Sequence, residues 1–415
     1  MGEWKEYKIS EVIDEISMGP FGSNIKVDNF IDFGVPVLNG SNLQGLKLNE
    51  VSFNYVSQEK ADSLGKANAH RGDVVITHRG TLGQIIYIPE DSNYEQYVIS
   101  QSQFRLKLKK EFIRPDFFVY FFHTRLGQHR ILMNASQVGV PALARPTSTF
   151  KEVYVPVPPM ETQNKVMDIL SSLDDKIAVN RRICENLEAQ AQALFKNWFV
   201  DFAPFKNGKF VESELGMIPE GWRVGKADDF YTINIGKTPP RAERQWFSES
   251  RVNNIIWVSI SDMGGCGTFI SDSKEYLTPE AQNKFNVVMV PVGTVLLSFK
   301  LTLGRVAIAD AELTTNEAIA RFVLPSPEYR EYTYLYLKQF KYERLGSTSS
   351  IATAVNSKII KAMPFLMPSK DVVKNFSEIT GRLFDEIKNL HQENLRLTTL
   401  RDTLLPKLMS GEMKV

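Results

Sequence analysis

The sequence predicts an α+β protein in which two tandem α+β domains are separated by two long helices that form an antiparallel coiled coil, a pseudo-two-fold repeat. A repeated strand-and-loop pattern, two segments with heptad spacing, and a connector with three glycines and two prolines predict this class. We expect a first domain at 1–157, a central long helix at 158–200, the connector at 201–222, a second domain at 223–366 and a C-terminal long helix at 367–413.

An internal repeat relates the two halves. GDVVITHRGTLG (72–83) aligns without gaps, at an offset of 221, with GTVLLSFKLTLG (293–304). VPVLNGSNLQG (35–45) likewise parallels IIWVSISDMGG (255–265). Each segment is an apolar run that breaks into small polar residues, which is typical of a buried strand ending in a loop. We therefore expect the same fold twice.

Two helices carry the strongest periodic signal. Apolar or interface-compatible residues recur alternately four and three positions apart, which is heptad spacing. In the first helix these positions are Val166, Leu170, Leu173, Ile177, Asn180, Cys184, Leu187, Ala191, Leu194 and Trp198. In the second they are Phe376, Leu383, Ile387, Leu390, Asn394, Leu397, Leu404 and Leu408, with polar Thr380 and Arg401 as departures. One amphipathic helix would simply pack on its domain, but two that end equivalent repeats favour pairing with each other.

The motifs of several catalytic classes are missing from the sequence. An adenine methyltransferase needs a glycine-rich loop and an Asn or Asp-Pro-Pro-aromatic motif, whereas KTPPR (237–241) has only the diproline and reads as a turn. The sequence has no GxxxxGK[ST] phosphate loop, and MGGCG (263–267) lacks dinucleotide-fingerprint spacing. Five histidines and two cysteines show no metal-ligand spacing, and His123 and His129 are expected at the surface. We expect no catalytic activity, cofactor or metal in this chain.

Four segments resemble the specificity subunits of type I restriction-modification systems. The resemblance covers the whole chain and lies in GPFGSNIKVDNFIDFGVPVLNGSNL (19–43), IGKTPPRAERQWF with NNIIWVSISDM (235–263), FKNWFVDFAPF (195–205) and LRDTLLPKLMSGEM (400–413). It implies that the two domains are target-recognition domains for the two parts of a bipartite DNA target. It also implies that the paired helices fix the spacing of these domains and carry two modification subunits.

The resemblance also implies partners, and the composition indicates a location. The partners would be double-stranded DNA, two methyltransferase (modification) subunits and restriction/translocase subunits, with S-adenosylmethionine and ATP bound in those subunits. Two cysteines, and no signal peptide or apolar run of about 18 residues, indicate a cytoplasmic protein without a membrane span. A free-standing bipartite DNA-binding protein and a methyltransferase with a fused recognition domain are the alternatives.

The charge balance is neutral, with 49 Lys and Arg against 48 Asp and Glu. Neutralisation of phosphates supplies most non-specific affinity for DNA. We therefore expect this chain to bind DNA weakly alone or to concentrate its cations on one face.

Candidate DNA-reading residues are the Arg, Lys, Asn, Gln, Ser, Thr and His side chains in the repeated loops. In the first domain they are Lys26, Asn39, Ser41, Asn42, His78, Arg79, Thr81, Gln101, Gln103 and Arg145. In the second they are Lys237, Arg241, Arg244, Ser259, Ser261, Lys300, Thr302, Arg305 and Asn316. A solvated surface position is the better explanation of any single one of them, but matched placement favours Arg79, Lys300 and Arg305 over the others. The aromatic residues Phe104, Phe117, Phe118, Tyr332 and Tyr334 are expected in the core.

Overall fold

The computed structural model describes residues 4–133, 135–136, 140–345 and 355–415. The chain divides into two compact units. The first unit contains Met1–Ile177 and Arg396–Val415, and the second contains Ala178–Leu395. Each unit therefore includes part of both long helices.

The first unit mixes short strands with helices, as the sequence predicts. Its strands are β1 (Lys5–Lys8), β2 (Ile13–Met18), β3 (Val35–Val37), β4 (Asn54–Val56), β5 (Asn68–His70), β6 (Val74–Thr77), β7 (Ile85–Tyr87), β8 (Gln96–Val98), β9 (Gln103–Leu108), β10 (Ala135–Ser136), β11 (Ala142–Leu143) and β12 (Tyr154–Val157). Its helices are α1 (Ile9–Val12), α2 (Gln58–Ser63), α3 (Pro115–His123), α4 (Arg125–Leu132), α5 (Pro146–Lys151) and the beginning of α6 (Met160–Phe199).

Among the described residues of this unit, the strands form two four-stranded sheets and two two-stranded pairs, β1–β12 and β10–β11. One sheet has the antiparallel order β2-β9-β6-β7, and the other has the order β4-β3-β8-β5 with a parallel β3–β8 pair. Strand β1 pairs with β12, which brings the two ends of the domain together. Helix α3 begins with Pro115 at its first turn, and its six residues from Phe117 to Phe122 are all buried. These aromatic side chains pack with Phe104 and Phe150 to form the core beneath the first sheet.

The second unit contains the remaining elements. Its strands are β13 (Phe210–Ser213), β14 (Gly216–Pro219), β15 (Arg223–Lys226), β16 (Thr232–Ile235), β17 (Phe247–Ser248), β18 (Ile255–Val258), β19 (Phe269–Ile270), β20 (Tyr276–Leu277), β21 (Val295–Ser298), β22 (Val306–Ala309), β23 (Thr314–Thr315), β24 (Ile319–Val323) and β25 (Pro364–Met367). Its helices are α7 (Ala227–Phe230), α8 (Pro279–Phe285), α9 (Arg330–Gln339), α10 (Ser357–Lys361) and most of α11 (Lys370–Met409).

The second unit repeats the architecture of the first. Its main sheet has the order β16-β24-β21-β22-β19, and the first four strands correspond to β2-β9-β6-β7. The parallel β18–β23 pair corresponds to β3–β8, and β15–β25 corresponds to β1–β12. Strands β6 and β21 lie at the offset of 221 found in the sequence. Tyr332 and Tyr334 of α9 are fully buried, so the expected core role of these aromatics is confirmed.

The two long helices, α6 and α11, are each 40 residues long, or about 60 Å. In the second unit Asn180 donates to Glu393 Oε2 at 2.8 Å, and Cys184 Sγ lies 3.8 Å from the Ile387 carbonyl. From one contact to the next the residue number rises on α6 and falls on α11, so the two helices are antiparallel there. Burial raises the pKa of the Cys184 thiol, which suits a packing role.

In the first unit the same two helices meet through charge. Arg401 forms an ion pair with Asp174 at 2.6 Å, and the Tyr120 hydroxyl also donates to Asp174. Leu408 and Met409 of α11 join the core that contains the start of α6. The polar departure at Arg401 is thus the α11 side of an interhelical pair.

Some buried residues of the helices lie outside the expected heptad positions. Phe195, Phe199 and Phe384 are almost fully buried because these stretches pack against the second domain as well as against each other. The other departure, Thr380, is buried and donates its hydroxyl to the Phe376 carbonyl. The heptad pattern therefore identified the helices but not the full width of their buried face.

The connector expected at 201–222 is not wholly irregular. It contains the antiparallel hairpin β13–β14, and its Trp222 packs on Phe199, Phe202 and Phe205. No helix in the described ranges combines the length and the uninterrupted apolarity that crossing a lipid bilayer requires.

Candidate nucleic-acid interface

In the first unit, four loops converge at one edge of the main sheet. Because β2, β9 and β6 alternate in direction, the end of β2, the start of β9 and the end of β6 lie side by side. The His78 backbone donates to the Ser102 carbonyl at 2.9 Å, and Gly19 donates to the Gln103 carbonyl at 2.8 Å. Gln84 donates to the Gly40 carbonyl at 3.2 Å, which ties in the loop after β3.

A further segment, 140–145, joins this edge. Gly80 donates to the Pro141 carbonyl and Leu143 donates to the His78 carbonyl, both at 2.9 Å. We call residues 19–24, 39–42, 78–84, 100–102 and 140–145 the first loop cluster. Its first and last segments are more than 100 residues apart in sequence, so only the fold brings them together.

The second unit has a matching edge. Three backbone N–H groups tie its loops together: that of Lys237 donates to the Thr315 carbonyl at 2.8 Å, that of Phe299 to the Ala318 carbonyl at 2.9 Å, and that of Asn316 to the Val258 carbonyl at 2.9 Å. We call residues 236–241, 259–264, 299–305 and 316–318 the second loop cluster. Its four loops follow or precede the strands that correspond to those of the first cluster.

Arg79 and Arg145 are exposed cations of the first loop cluster. Arg79 lies directly after β6 and forms a single β-bridge to Ala142 through its backbone. Within the described ranges its guanidinium has no hydrogen-bond or ion-pair partner. Arg145, also exposed and also without such a partner there, has a left-handed backbone with φ 46°. Both side chains are therefore available to bind a phosphate or a base edge.

His78 and Gln101 form a neutral polar pair beside Arg79. The His78 ring Nε2 lies 3.1 Å from the Gln101 carbonyl. Burial lowers the pKa of His78, although its hydrogen bond to that carbonyl opposes the shift. A carbonyl can only accept, so the ring donates from Nε2, and the lowered pKa favours its neutral form at pH 7. The Gln101 side chain is exposed beside Gly22, where an added Cβ would lie 2.3 Å from its Oε1.

Three first-domain candidates serve their own loops. Asn42 is fully buried, accepts a bond from Asn39 N and donates to the carbonyls of Asn49 and Val51, so it holds the loop and offers no surface to DNA. Gln103 is also fully buried. The Asn39 amide oxygen accepts from both the backbone and the hydroxyl of Ser41. Asn42 and Gln103 are thus corrections to the candidate set, while Ser41, Thr81 and Lys26 remain exposed.

In the second loop cluster, Lys237, Lys300 and Thr302 are exposed. Arg244, in the loop beyond the cluster, is exposed too. Among the described residues, no carboxylate lies within ion-pair distance of Lys237, Lys300 or Arg244. The strand-end loops of this neutral chain therefore carry exposed cations that form no ion pair within the described residues, which suits a nucleic-acid interface.

Three polar side chains of this cluster are used internally. Arg305 is half-buried and donates to the Ile260 carbonyl at 2.6 Å. Arg241 pairs with Glu275 at 2.7 Å and lies over the rings of Phe247 and Trp257, at 4.4 and 4.5 Å from their centroids. Ser259 donates to Asp262 at 2.6 Å and shares a bond with the exposed Ser261. The structure gives Arg305 and Arg241 local structural roles.

Sequence reasoning missed one acidic member of the second loop cluster. Glu317 is exposed and accepts a hydrogen bond from the Thr238 hydroxyl. Burial alone would raise the pKa of Glu317, but this bond and the charges of Lys300 and Arg241 outweigh it, so the pKa is lowered. An ionised carboxylate among cations can accept a hydrogen bond from the cytosine amino group. The search for cations and amides could not have found it.

Comparison with known proteins places this architecture in context. A family model described as "Type I restriction modification DNA specificity domain" matches residues 1–189 and 219–399. The specificity subunit of the type I restriction enzyme HindI from Haemophilus influenzae is 25% identical, with all of both chains covered. The MjaIX specificity subunit from Methanocaldococcus jannaschii is 28% identical over 83% of this chain and 78% of its own.

A solved structure shares the fold. The crystal structure of a type I restriction-modification S subunit from M. genitalium has a TM-score of 0.55 and 16% sequence identity to this chain. The match covers 98% of this chain and 96% of that one. The duplicated sheet-and-helix architecture is therefore one that a solved S subunit also has.

Proposed function

The chain belongs to the type I restriction modification DNA specificity family, and from this we propose that its two loop clusters each read one part of a bipartite DNA target. The chain is a DNA-recognition subunit of a restriction-modification complex. The observation that carries the proposal is the duplication of the main sheet with its loop cluster. A duplicated reader on rigid strand ends is suited to a split target.

The chemistry of the loop clusters suits reading without catalysis. Arg79, Gln101, Lys237 and Lys300 are exposed donors that can reach phosphates or base edges. Base-edge contacts specify sequence, whereas phosphate contacts fix the register of the protein on the duplex. We propose that the chain itself is non-catalytic, and that its partner subunits bind S-adenosylmethionine and ATP and carry out methylation and cleavage.

The partners follow from this division of labour. We propose two methyltransferase (modification) subunits, one for each repeat, and restriction/translocase subunits in the complete complex. The neutral charge supports dependence on such partners, because the free chain has few surplus cations with which to hold DNA. Because the complex acts on DNA, we propose that it is cytoplasmic.

We further propose that helices α6 and α11 set the distance between the two half-targets. Each helix is 40 residues long and contributes to both units. A helix has a fixed rise per residue, so a pair of them is a spacer of defined length. The buried Asn180, which donates to Glu393 and Asn394, supports a fixed register for the pair.

A domain exchange tests the proposal. Residues 20–150 are replaced with the corresponding domain of a relative, and methylated adenines are mapped in DNA treated with the complex of this hybrid chain and its modification subunits. We expect one half-target to change and the other to stay the same. A hybrid that keeps both half-targets, or loses both while remaining folded, contradicts modular reading.

Assays on the purified chain alone separate the alternatives. The chain without its modification subunits should bind no S-adenosylmethionine and transfer no methyl group. Methyl transfer by the pure chain would favour a methyltransferase with a fused recognition domain. Tight, target-specific binding with no methyltransferase co-purifying would favour a free-standing bipartite DNA-binding protein.

A further inference from the structure

The loop after β21 ends in an apolar tip. Leu301 has a relative exposure of 103%, so its side chain is as accessible as in an extended peptide. Its neighbours Lys300 and Thr302 are exposed as well. Single exposed leucines are common on protein surfaces, so exposure by itself assigns no role to this residue.

The backbone at Leu301 supplies a second, independent observation. Its φ is +59°, in the left-handed region that residues with a Cβ rarely adopt. At the repeat offset of 221 the first domain has Gly80, with φ +90°. Both loops therefore make a glycine-type turn, but the second domain makes it with a leucine. Folding alone favours glycine at this turn.

Leucine gains no packing in return for this strain, because its side chain is fully exposed. A strained residue that gains no packing supports the hypothesis that its side chain has a role outside folding. The first domain has no side chain at the equivalent position, where a Cβ would meet no atom within 4 Å. Only the second loop cluster therefore has a side chain at this repeat position. A residue that makes the two half-targets differ must differ between the two domains in this way.

We propose that Leu301 is a specificity-determining residue that reads a thymine in the second half-target through the 5-methyl group. This inference rests on the proposed function of the second loop cluster. Leucine has no hydrogen-bonding group, and the methyl of thymine is the apolar feature that base edges present in the major groove. Lys300 and Thr302 on either side provide the donors for the adjacent phosphate and base edges.

Insertion of the leucine between stacked bases is a different mode of contact. Such wedges act mainly from the minor groove and bend the duplex. The cluster around Leu301 instead carries Lys237, Lys300 and Glu317, whose donors and acceptor match the distinct base patterns of the major groove. These neighbours favour contact with the methyl group over insertion.

The test uses the full chain in complex with its modification subunits and duplexes that carry the mapped target. Each thymine of the second half-target is replaced in turn by uracil, which lacks only the 5-methyl group. We expect about fourfold weaker binding for uracil at one position, the loss that corresponds to burying one methyl group. Leu301→Gly should bind the thymine and uracil duplexes equally at that position, while Leu301→Met should retain the discrimination.

A loss of binding would not reflect unfolding, because Leu301→Gly relieves the backbone strain. Its melting temperature should equal or exceed that of the unaltered chain. A second half-target without an A·T pair, equal binding of all uracil duplexes, or discrimination retained by Leu301→Gly would each overturn the inference. So would a Leu301→Gly variant that loses affinity for all duplexes alike, as removal of a wedge would cause. If the complex does not prefer its bipartite target to a scrambled duplex, the proposed function itself fails.

Discussion

Arg105 and Arg321 occupy equivalent places in the central strands β9 and β24, but only Arg105 is met by carboxylates. Arg105 pairs with Val75 across the sheet and Arg321 with Leu296, and each arginine is 5% exposed. Arg105 lies 3.2 Å from Asp73 and 3.3 Å from Glu15.

Arg321 is satisfied differently. It donates to the carbonyls of Val288 and Ile235 at 2.9 and 2.8 Å, and no carboxylate of the described residues lies within 4 Å of it. Thr294 stands at the repeat position of Asp73. Burial lowers the pKa of Arg321, with no acid to oppose it. The two repeats thus keep the same arginine in opposite electrostatic settings.

This contrast predicts unequal effects of the same substitution. Arg105→Met strands the buried Asp73 and should lower the free energy of unfolding by about 3–5 kcal/mol. Arg321→Met removes an unpaired buried cation, which offsets the loss of its two hydrogen bonds, so we expect a loss of about 1–2 kcal/mol. Hydrogen exchange of β9 and β24 measures each unit separately. An equal or larger loss for Arg321→Met would contradict this electrostatic account.

A second pair of arginines separates binding from stability. Arg79→Ala should leave the melting temperature unchanged and weaken binding to the target by about 1–3 kcal/mol if the guanidinium holds a base bidentately. Arg305→Ala removes the bond to Ile260 and should lower the free energy of unfolding by about 1 kcal/mol.

Salt dependence tells what Arg79 contacts. If it binds a phosphate, Arg79→Ala weakens binding to all sequences alike and reduces the salt slope by about one. Target binding that is unaffected by Arg79→Ala at every salt concentration would remove the loop after β6 from the interface.

Three half-buried histidines predict sensitivity to acid. Burial lowers the folded-state pKa of His78, His123 and His391 below the ordinary value of 6.5. The unfolded chain then binds more protons than the folded one as pH falls below about 6.5, so the free energy of unfolding decreases toward lower pH. Urea titrations between pH 7.5 and 5.5 measure this slope.

His123 is the clearest member of the group and the variant of choice. It was expected at the surface, but its Nε2 lies 2.9 Å from the Ile85 carbonyl and its ring is largely desolvated. His123→Gln should flatten the slope, because glutamine can donate to that carbonyl without titrating. The matched control is His129→Gln at an exposed position, and a flattening of similar size there would contradict the assignment.

Lengthening both long helices tests their role as a spacer. The chain leaves the first unit after Ile177 and returns to it after Leu395. Four helix-forming residues inserted at both places add about 6 Å and about 40° of rotation. We expect the unread spacer to lengthen by one or two base pairs while both half-targets stay the same, as read by methylation mapping.

The control is an insertion in one helix alone. Insertion after Ile177 alone lengthens α6 but not α11 between the Asp174–Arg401 pair and the Asn180–Glu393 pair. Both pairs then cannot form without distorting a helix, so stability should fall. An unchanged spacer in an active double-insertion complex would show that the helices do not set the distance.

The sequence was informative where the physical signal is local. Apolar runs ending in polar residues identified β6 and β21, and heptad spacing identified α6 and α11, because each pattern repeats within a few residues. The fold class is confirmed at this level by the duplicated sheets and the antiparallel helix contacts.

The contacts of the site residues could not be predicted in the same way. Whether a polar side chain is free depends on partners that are distant in sequence. Arg305 is held by Ile260, 45 residues away, and Arg241 by Glu275, 34 residues away. Matched placement in the repeat favours Arg305 and Arg79 alike, although Arg305 is bound to the loop after β18 and Arg79 is exposed. The base contacts stay a prediction.

The equal length of α6 and α11 has an evolutionary consequence. A chain with only one domain and one such helix would expose an apolar stripe, and a second copy of itself lying antiparallel would cover that stripe. Such an ancestral homodimer would read an interrupted palindrome, since both halves would have the same reader. Duplication and fusion would then free each reader to diverge, and the different partners of Arg105 and Arg321 are one such difference between the present repeats.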